Sequence, residues 1–591
     1  MTETFASPDI AIDRRADGAI VLTSRVALTA WEPSITAVLR KRAADHPDRS
    51  LAVHGGVTLT YGEAKQRSDA LAGAFSALGL GPDKPVMILS GNSLEHLVVS
   101  LAAYAARAPV MPISVAYSLM SSDHARIKAI AQLTEPGLVF ADDAAPFSGA
   151  LDALAPHAPQ VLVARGERSG ALRLADLWET SAHGDSPLDG DPGPGADTVA
   201  KLLFTSGSTG APKGVINTHR MLCSNQAMLR LPWPFLSEEP PILVDWLPWS
   251  HTFGGNHNLN LALFNGGTIH IDDGRPTRAG GNPFSKTLAA LSEVPPTLYF
   301  NVPAGYALLA PALESDPALA ERFFSRLRFM FYAAAALPDA LAARLRDVAR
   351  KHADHDVPLT SSWGTTETSP AATTMHYLGA PTGCIGVPYP GVSVKLARVG
   401  DKLEIRVKGP NVTPGYFRQP ELTAATFDED GYYRSGDAAT LIDDQDPNRG
   451  MMFDGRIAEN FKLLTGTWVA VGSLRTRLLS TAGVLSDAVI AGHDAEYVAA
   501  LAWVNQAEAQ SDATALRERL SQALTQLNQD SGSALRVERL LLLETPPSLD
   551  AGEITDKGYL NQRRCLECRA RDIARLYADP PGPEVITPAP A

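Results

Sequence analysis

Apolar residues recur at helical spacing from Trp31 to His46 and again from Leu71 to Leu80, while Leu51 to Tyr61 between them reads as short strands and turns. Pro85-Val-Met-Ile-Leu-Ser90 is a continuous apolar run of strand length, and the Gly91-Asn92 after it opens a helical stretch, Ser93 to Ala106. Such runs have no polar face, which is the pattern of strands buried on both sides of a parallel sheet. Val139-Phe140 and Val161-Leu-Val-Ala164 repeat the strand signal, as does Ala200 to Phe204 beyond a Gly-, Pro- and Asp-rich connection, Gly184 to Gly195. Strands alternating with helices predict an α/β fold, with a large N-terminal domain of parallel and mixed sheets covered by helices. Turn-rich Asp443 to Gly450 and the short strand Met451-Met-Phe453 precede a break at Gly455-Arg456. The pattern therefore divides the chain into a large domain, 1–455, and a small mobile α+β domain, 456–579, that ends in helical Tyr559 to Tyr577. The tail, 580–591, reads PPGPEVITPAPA and is expected to have no fixed structure.

The length of 591 residues agrees with at least two separate cores. A formal net charge of −13 argues against nucleic acid or an anionic membrane surface as partner, because both need clustered Lys and Arg. No apolar run approaches the ~20 residues that span a bilayer, and no secretory signal pattern opens the chain, so the expected location is the cytoplasm. Cys223, Cys384, Cys565 and Cys568 are too few for a disulfide framework. The C-x-x-C at Cys565 and Cys568 has no second ligand pair near it and reads as two thiols one helical turn apart.

The chemistry concentrates in TSGSTGAPKG, Thr205 to Gly214. Its ten residues hold four hydroxyls, three glycines and one lysine: Thr205, Ser206, Gly207, Ser208, Thr209, Gly210, Lys213 and Gly214 are the groups that count. Glycines let backbone amides approach an anion, hydroxyls donate to phosphate oxygens and Lys213 adds a point charge, which together suit a polyphosphate. The spacing is not that of the P-loop NTPases.

This stretch resembles the signature of the acyl-adenylate-forming superfamily of acyl-CoA synthetases, luciferases and peptide-synthetase adenylation domains. Trp363-Gly364-Thr365-Thr366-Glu367, Gly415-Tyr416-Phe417, Tyr433-Arg434-Ser435-Gly436-Asp437 and Gly455-Arg456 resemble further motifs of that superfamily, in its order. A narrower resemblance, to bacterial feruloyl-CoA synthases, covers almost the whole chain, through Ile88 to His96, Val215 to Leu222, Val244 to Asn256 and Phe453 to Leu463. The resemblance implies ATP and CoA as co-substrates, a hydroxycinnamate as the acid, and AMP plus pyrophosphate as products. It also implies nucleotide contacts from the phosphate loop, Trp363, Gly364, Thr365 and Thr366, a ribose-binding Asp437, an Arg456 on the same sugar or the phosphate, and a Mg2+ ion on Glu367. A carboxylate suits that hard cation, and Asp437 can accept both ribose hydroxyls.

Family members carry an adenylation lysine after a glycine near the C-terminus. Here Gly552 is followed by Glu553, an acid that both reactants would repel, so a shifted register assigns the role to Lys557, with Thr205 and His251 as further catalytic residues. The hinge position carries Ala458 where the family has Asp or Lys. For the acyl pocket the expected residues are Trp246, Trp249, His251, Phe253 and Asn256, with Tyr332 and Ala334 in a small-residue loop that leaves room for a planar ring. His251 and His257 have no carboxylate placed to complete a metal site. Competing readings are activation of another aryl or fatty acid, transfer to a carrier protein, and a nucleotide-binding protein without catalysis.

Overall fold

The computed structural model describes residues 4–157, 160–181, 190–206, 212–275, 284–377, 379–505, 512–529, 531–555, 558 and 560–589. The apolar run after Pro85 forms the strand Val86–Leu89, its four side chains fully buried. It lies at the centre of a sheet whose order is Pro212–Thr218, Val199–Ser206, Val110–Ile113, Val86–Leu89, Leu138–Asp143, Val161–Arg165, Leu172–Arg173. All neighbours are parallel except Pro212–Thr218, which returns antiparallel to Val199–Ser206. Helices start where a side chain can satisfy their first amides. Ser93 caps Leu94–Ala105, and Thr60 with Glu63 forms a reciprocal capping box on Tyr61–Ala77.

A second, mixed sheet contains the parallel strands Leu298–Asn301, Phe329–Tyr332 and Leu359–Gly364, followed by antiparallel Ala371–Thr374. The α/β class is as expected. The chain divides into two compact units, one of residues 1–398, 405–435 and 440–452, the other of 399–404, 436–439 and 453–591. The second unit thus begins its main run at Phe453, just before the expected break at Gly455-Arg456.

The second unit holds a four-stranded sheet ordered Leu485–Ala491, Ala499–Val504, Arg539–Leu542, Val585–Ile586. Its side chains alternate between two cores. Ala488, Ile490, Ala500, Ala502, Leu540 and Ile586 pack with Leu474, Leu478, Leu520 and Leu524 on one face, while Val489, Leu501, Leu541 and Val585 pack with Cys565 and Leu576 on the other. The tail from Pro580 therefore departs from expectation: Val585 and Ile586 pair antiparallel with Leu541 and Leu540 and bury one side chain in each core. Two apolar neighbours suffice for this because a strand sends successive residues to opposite faces. The C-terminal helical stretch is two helices, Gln562–Cys568 and Ala570–Leu576. Cys565 is buried and Cys568 exposed, both as free thiols.

Candidate active site

The phosphate-loop sequence begins and ends in two strands that pair antiparallel. Thr205 stands opposite Lys213, and Ser206 opposite Pro212, across the antiparallel strands Val199–Ser206 and Pro212–Thr218. Gly207, Ser208, Thr209 and Gly210 lie outside the described residues. The strand after the loop is lined by the Gly415-Tyr416-Phe417 segment: the Phe417 amide donates to the Gly214 carbonyl at 2.8 Å and the Ile216 amide to the Gly415 carbonyl at 3.1 Å. This places the Lys213 ammonium 5.8 Å from the centre of the Tyr416 ring, in cation–π range.

Tyr416 links that lysine to the carboxylate expected to hold a metal. Its hydroxyl donates to Glu367 Oε1 at 2.9 Å. Burial first, and the charge of Glu367 second, push the Tyr416 phenol above its usual range, so it remains a donor. Glu367 is 8% exposed and sits on a short helical turn, Thr366–Thr368, directly after the strand Leu359–Gly364 that carries Trp363. Trp363 and Thr366 are buried as well, Thr365 half-buried and Gly364 exposed. A buried carboxylate that accepts from the Tyr416 phenol and interacts with that of Tyr433, with no ion pair among the described residues, has the donor chemistry to take a hard cation. No cluster of three or more His, Cys, Asp or Glu side chains that could hold a metal without substrate is found among the described residues.

Asp437 and Arg456 come together in the second unit, Arg456 Nε lying 3.4 Å from Asp437 Oδ1. Asp437 is buried and Arg456 exposed, with Arg456 Nη1 also 3.9 Å from Glu459 Oε1. Ala458 is exposed on the short turn Ile457–Glu459. Lys557 lies outside the described residues. Glu553, the acid after Gly552, is 2% exposed and doubly bound to Arg569, Nε to Oε1 at 2.5 Å and Nη2 to Oε2 at 2.8 Å. Burial opposes its ionisation, but Arg569 and the Ser548 amide outweigh burial and hold the carboxyl below its usual range.

The expected acyl-pocket residues divide into two groups around a π-helical turn, Phe253–Asn258. Phe253 faces Phe300 and Phe331, ring centres 6.3 and 5.8 Å away, at the ends of the parallel strands Leu298–Asn301 and Phe329–Tyr332. Trp246, His251 and Phe253 are half-buried, Tyr332 is buried, and Ala334 is exposed with φ +73°, a left-handed conformation that costs a residue with a β-carbon. The other group lies beneath. Trp249 is 2% exposed and meets His96 edge-on at 5.3 Å. Asn256 is 1% exposed, its amide donating to Asn217 Oδ1 and Thr252 Oγ1 at 2.9 and 3.2 Å. The side-chain amide of Asn256 is thus taken up within the protein, whereas the buried Trp249 indole N–H has no hydrogen-bond partner among the described residues. Close approach explains Gly254 and Gly255: a β-carbon there would lie 2.3 Å from the carbonyl oxygens of Leu247 and Trp249, respectively.

Sequence reasoning missed Tyr416 as a bridge, together with Lys201 and Gln226. Lys201 Nζ donates to the Gly255 carbonyl at 2.9 Å and Asn256 Oδ1 at 3.2 Å, and Gln226 Nε2 to the carbonyls of Asn256 and His257 at 3.1 and 3.3 Å. The available signal was a lysine inside the apolar run Val199-Ala-Lys-Leu-Leu-Phe204. His257 is buried and neutral, burial pushing it down to about 4, among aromatic rings.

Residues 39–417 match the family of AMP-binding enzymes, and 460–580 the AMP-binding enzyme C-terminal domain. Feruloyl-CoA synthase of an Amycolatopsis species is 29% identical over 413 residues, 68% of this chain and 75% of that protein. Carboxylic acid reductase of Mycobacterium tuberculosis is 25% identical over 578 residues, 88% of this chain and 46% of that protein. In fold the chain resembles ATP-bound MatB from Rhodopseudomonas palustris, with a TM-score of 0.70 and 24% identity over 91% of this chain and 99% of that one. It also resembles the anthranilate CoA ligase AuaEII solved with anthranoyl-AMP, with a TM-score of 0.74 and 18% identity over 93% of this chain and 99% of that one. With the match spanning most of the large unit and a phosphate-loop strand pair tied through Tyr416 to a buried glutamate, the chain belongs to the AMP-binding, adenylate-forming enzyme family, which activates carboxylic acids.

Proposed function

We propose that the protein is an aryl-CoA ligase acting on a hydroxycinnamic acid of the ferulate type. A carboxylate oxygen attacks the α-phosphorus of ATP, the bond to pyrophosphate breaks, and acyl-AMP forms. The CoA thiolate then attacks the acyl carbon and AMP leaves with the electrons of the C–O bond. The first step brings an anion to a polyanion, and unit charges ~4 Å apart repel by ~4 kcal/mol at intermediate dielectric. Lys213 and the loop amides offset that repulsion, Thr366 donates to the α-phosphate, Asp437 accepts the ribose hydroxyls and Arg456 donates beside them. Glu367 would hold Mg2+, which when bound would supply positive charge that offsets the negative charge of the phosphates. Lys557 takes the adenylation role, and the burial of Glu553 in its pair with Arg569 removes the objection that an acid would face the reactants.

The observation that carries the aromatic reading is the wall of Phe253, Phe300 and Phe331 around the π-helical turn, and the feruloyl-CoA synthase similarity supports it. AMP release with CoA is measured against ferulic, coumaric, cinnamic, benzoic and medium-chain fatty acids. Highest turnover is expected with the hydroxycinnamates, and turnover of the fatty acids alone overturns the reading. The carboxylic acid reductase similarity, which extends over 88% of the chain, favours one alternative, transfer to a carrier-bound thiol. Acid-dependent pyrophosphate exchange without any CoA-dependent AMP release would select it.

A further inference from the structure

We propose that Lys201 is a positioning residue for acid selectivity: its ammonium locks the π-helical turn Phe253–Asn258, and thereby sets the shape of the wall that Phe253 presents to the acid. The inference rests on the assignment of that turn to the acyl pocket. Lys201 lies on Val199–Ser206, the strand that runs into the phosphate loop, and is 4% exposed. Among the described residues it has no ion pair with a carboxylate, and burial pushes its amine down to about 7. An unpaired buried cation is costly, and methionine would fill the same space without that cost. What lysine adds is N–H donors aimed at two acceptors of one turn, the Gly255 carbonyl and Asn256 Oδ1.

The turn needs such donors. A π-helical turn widens the ring of backbone hydrogen bonds and is rarely stable by itself. Here three successive carbonyls, those of Gly255, Asn256 and His257, accept from buried side chains, the first from Lys201 and the next two from Gln226. Asn256 passes the constraint on through Asn217, whose Oδ1 also accepts from Ser369 Oγ at 3.3 Å. Lys201 is not placed to bind the acid's carboxylate itself. The cavity it lines with His96 and Trp249 measures about 10 Å³, the size of one water.

Acid-dependent pyrophosphate exchange of wild type and Lys201→Met across the same acids, with KM taken separately for acid and ATP, tests the role. Lys201→Met is expected to raise KM for the preferred acid about 10-fold and to narrow its advantage over the next acid by about the same factor, with KM for ATP within about twofold. An unchanged order of acids with an unchanged acid KM overturns the proposal, and so does an equal rise in both KM values. If Lys201→Met does not purify folded, Gln226→Met must show the same split, and wild-type selectivity in that variant overturns the proposal. A wild type that prefers fatty acids overturns the hydroxycinnamate reading alone, and the KM split on those acids then decides the role of Lys201.

Discussion

Glu367 in the larger unit and Glu553 in the smaller are both buried carboxylates, 8% and 2% exposed, in segments that resemble functional motifs. Their partners differ. Glu553 is gripped by the Arg569 guanidinium through two hydrogen bonds and by the Ser548 amide through a third at 2.8 Å, so its charge is balanced within the fold. Glu367 accepts from the Tyr416 hydroxyl, which supplies a proton donor but no positive charge. The carboxylate closed by arginine has its charge balanced inside the fold, whereas the one held by a phenol has no cationic partner among the described residues. Burial alone does not separate the two carboxylates; the charge of the partner does.

The largest test of the contrast is Arg569→Met, which leaves Glu553 buried and unpaired and is expected to destabilise the smaller unit by about 3 to 5 kcal/mol in urea denaturation. Replacing both partners, Glu553→Met with Arg569→Met, should recover most of that loss, because two apolar groups need no compensation. Next comes Glu367→Gln. Losing one preorganised charge at the phosphates should lower acid-dependent pyrophosphate exchange about 100-fold, with the denaturation midpoint little changed. Lys557→Ala should reduce exchange on a similar scale of about 100-fold, and wild-type exchange in that variant would remove Lys557 from the adenylation step. The smallest effect is titration. The folded carboxyl of Glu553 lies below its usual value of 4.5, so its stabilisation is complete above that pH and is lost as pH falls through the folded value. Glu553→Gln should flatten this acid limb of the stability curve.

The nucleotide motifs were legible because each is a short run of consecutive residues: a strand, a turn and a few hydroxyls, glycines or acids. The parallel sheet was legible for the same reason, as in the fully buried Val86–Leu89. What escaped reading was contact between distant positions. Tyr416 reaches Glu367 across 49 residues and Lys201 reaches Gly255 across 54, and no local spacing records such pairs. Nor does spacing along the chain show that, of two residues on one turn, Phe253 meets Phe300 and Phe331 while Asn256 meets Lys201 and Asn217. Trp249, ahead of that turn, is buried against His96. The tail was misread because the prolines around Val585-Ile586 dominate its composition, while two residues are enough to complete a sheet edge.

That short edge strand also governs how the protein can be handled. A chain shortened at Pro580 would leave Arg539–Leu542, an Arg-Leu-Leu-Leu segment, as the border of the small sheet, with unpaired backbone groups beside newly bared leucine. Such a border recruits strands from other molecules. Trimming the seemingly dispensable proline-rich end is therefore a route to insoluble protein, and an affinity tag is better joined after a spacer that leaves Val585 and Ile586 in register.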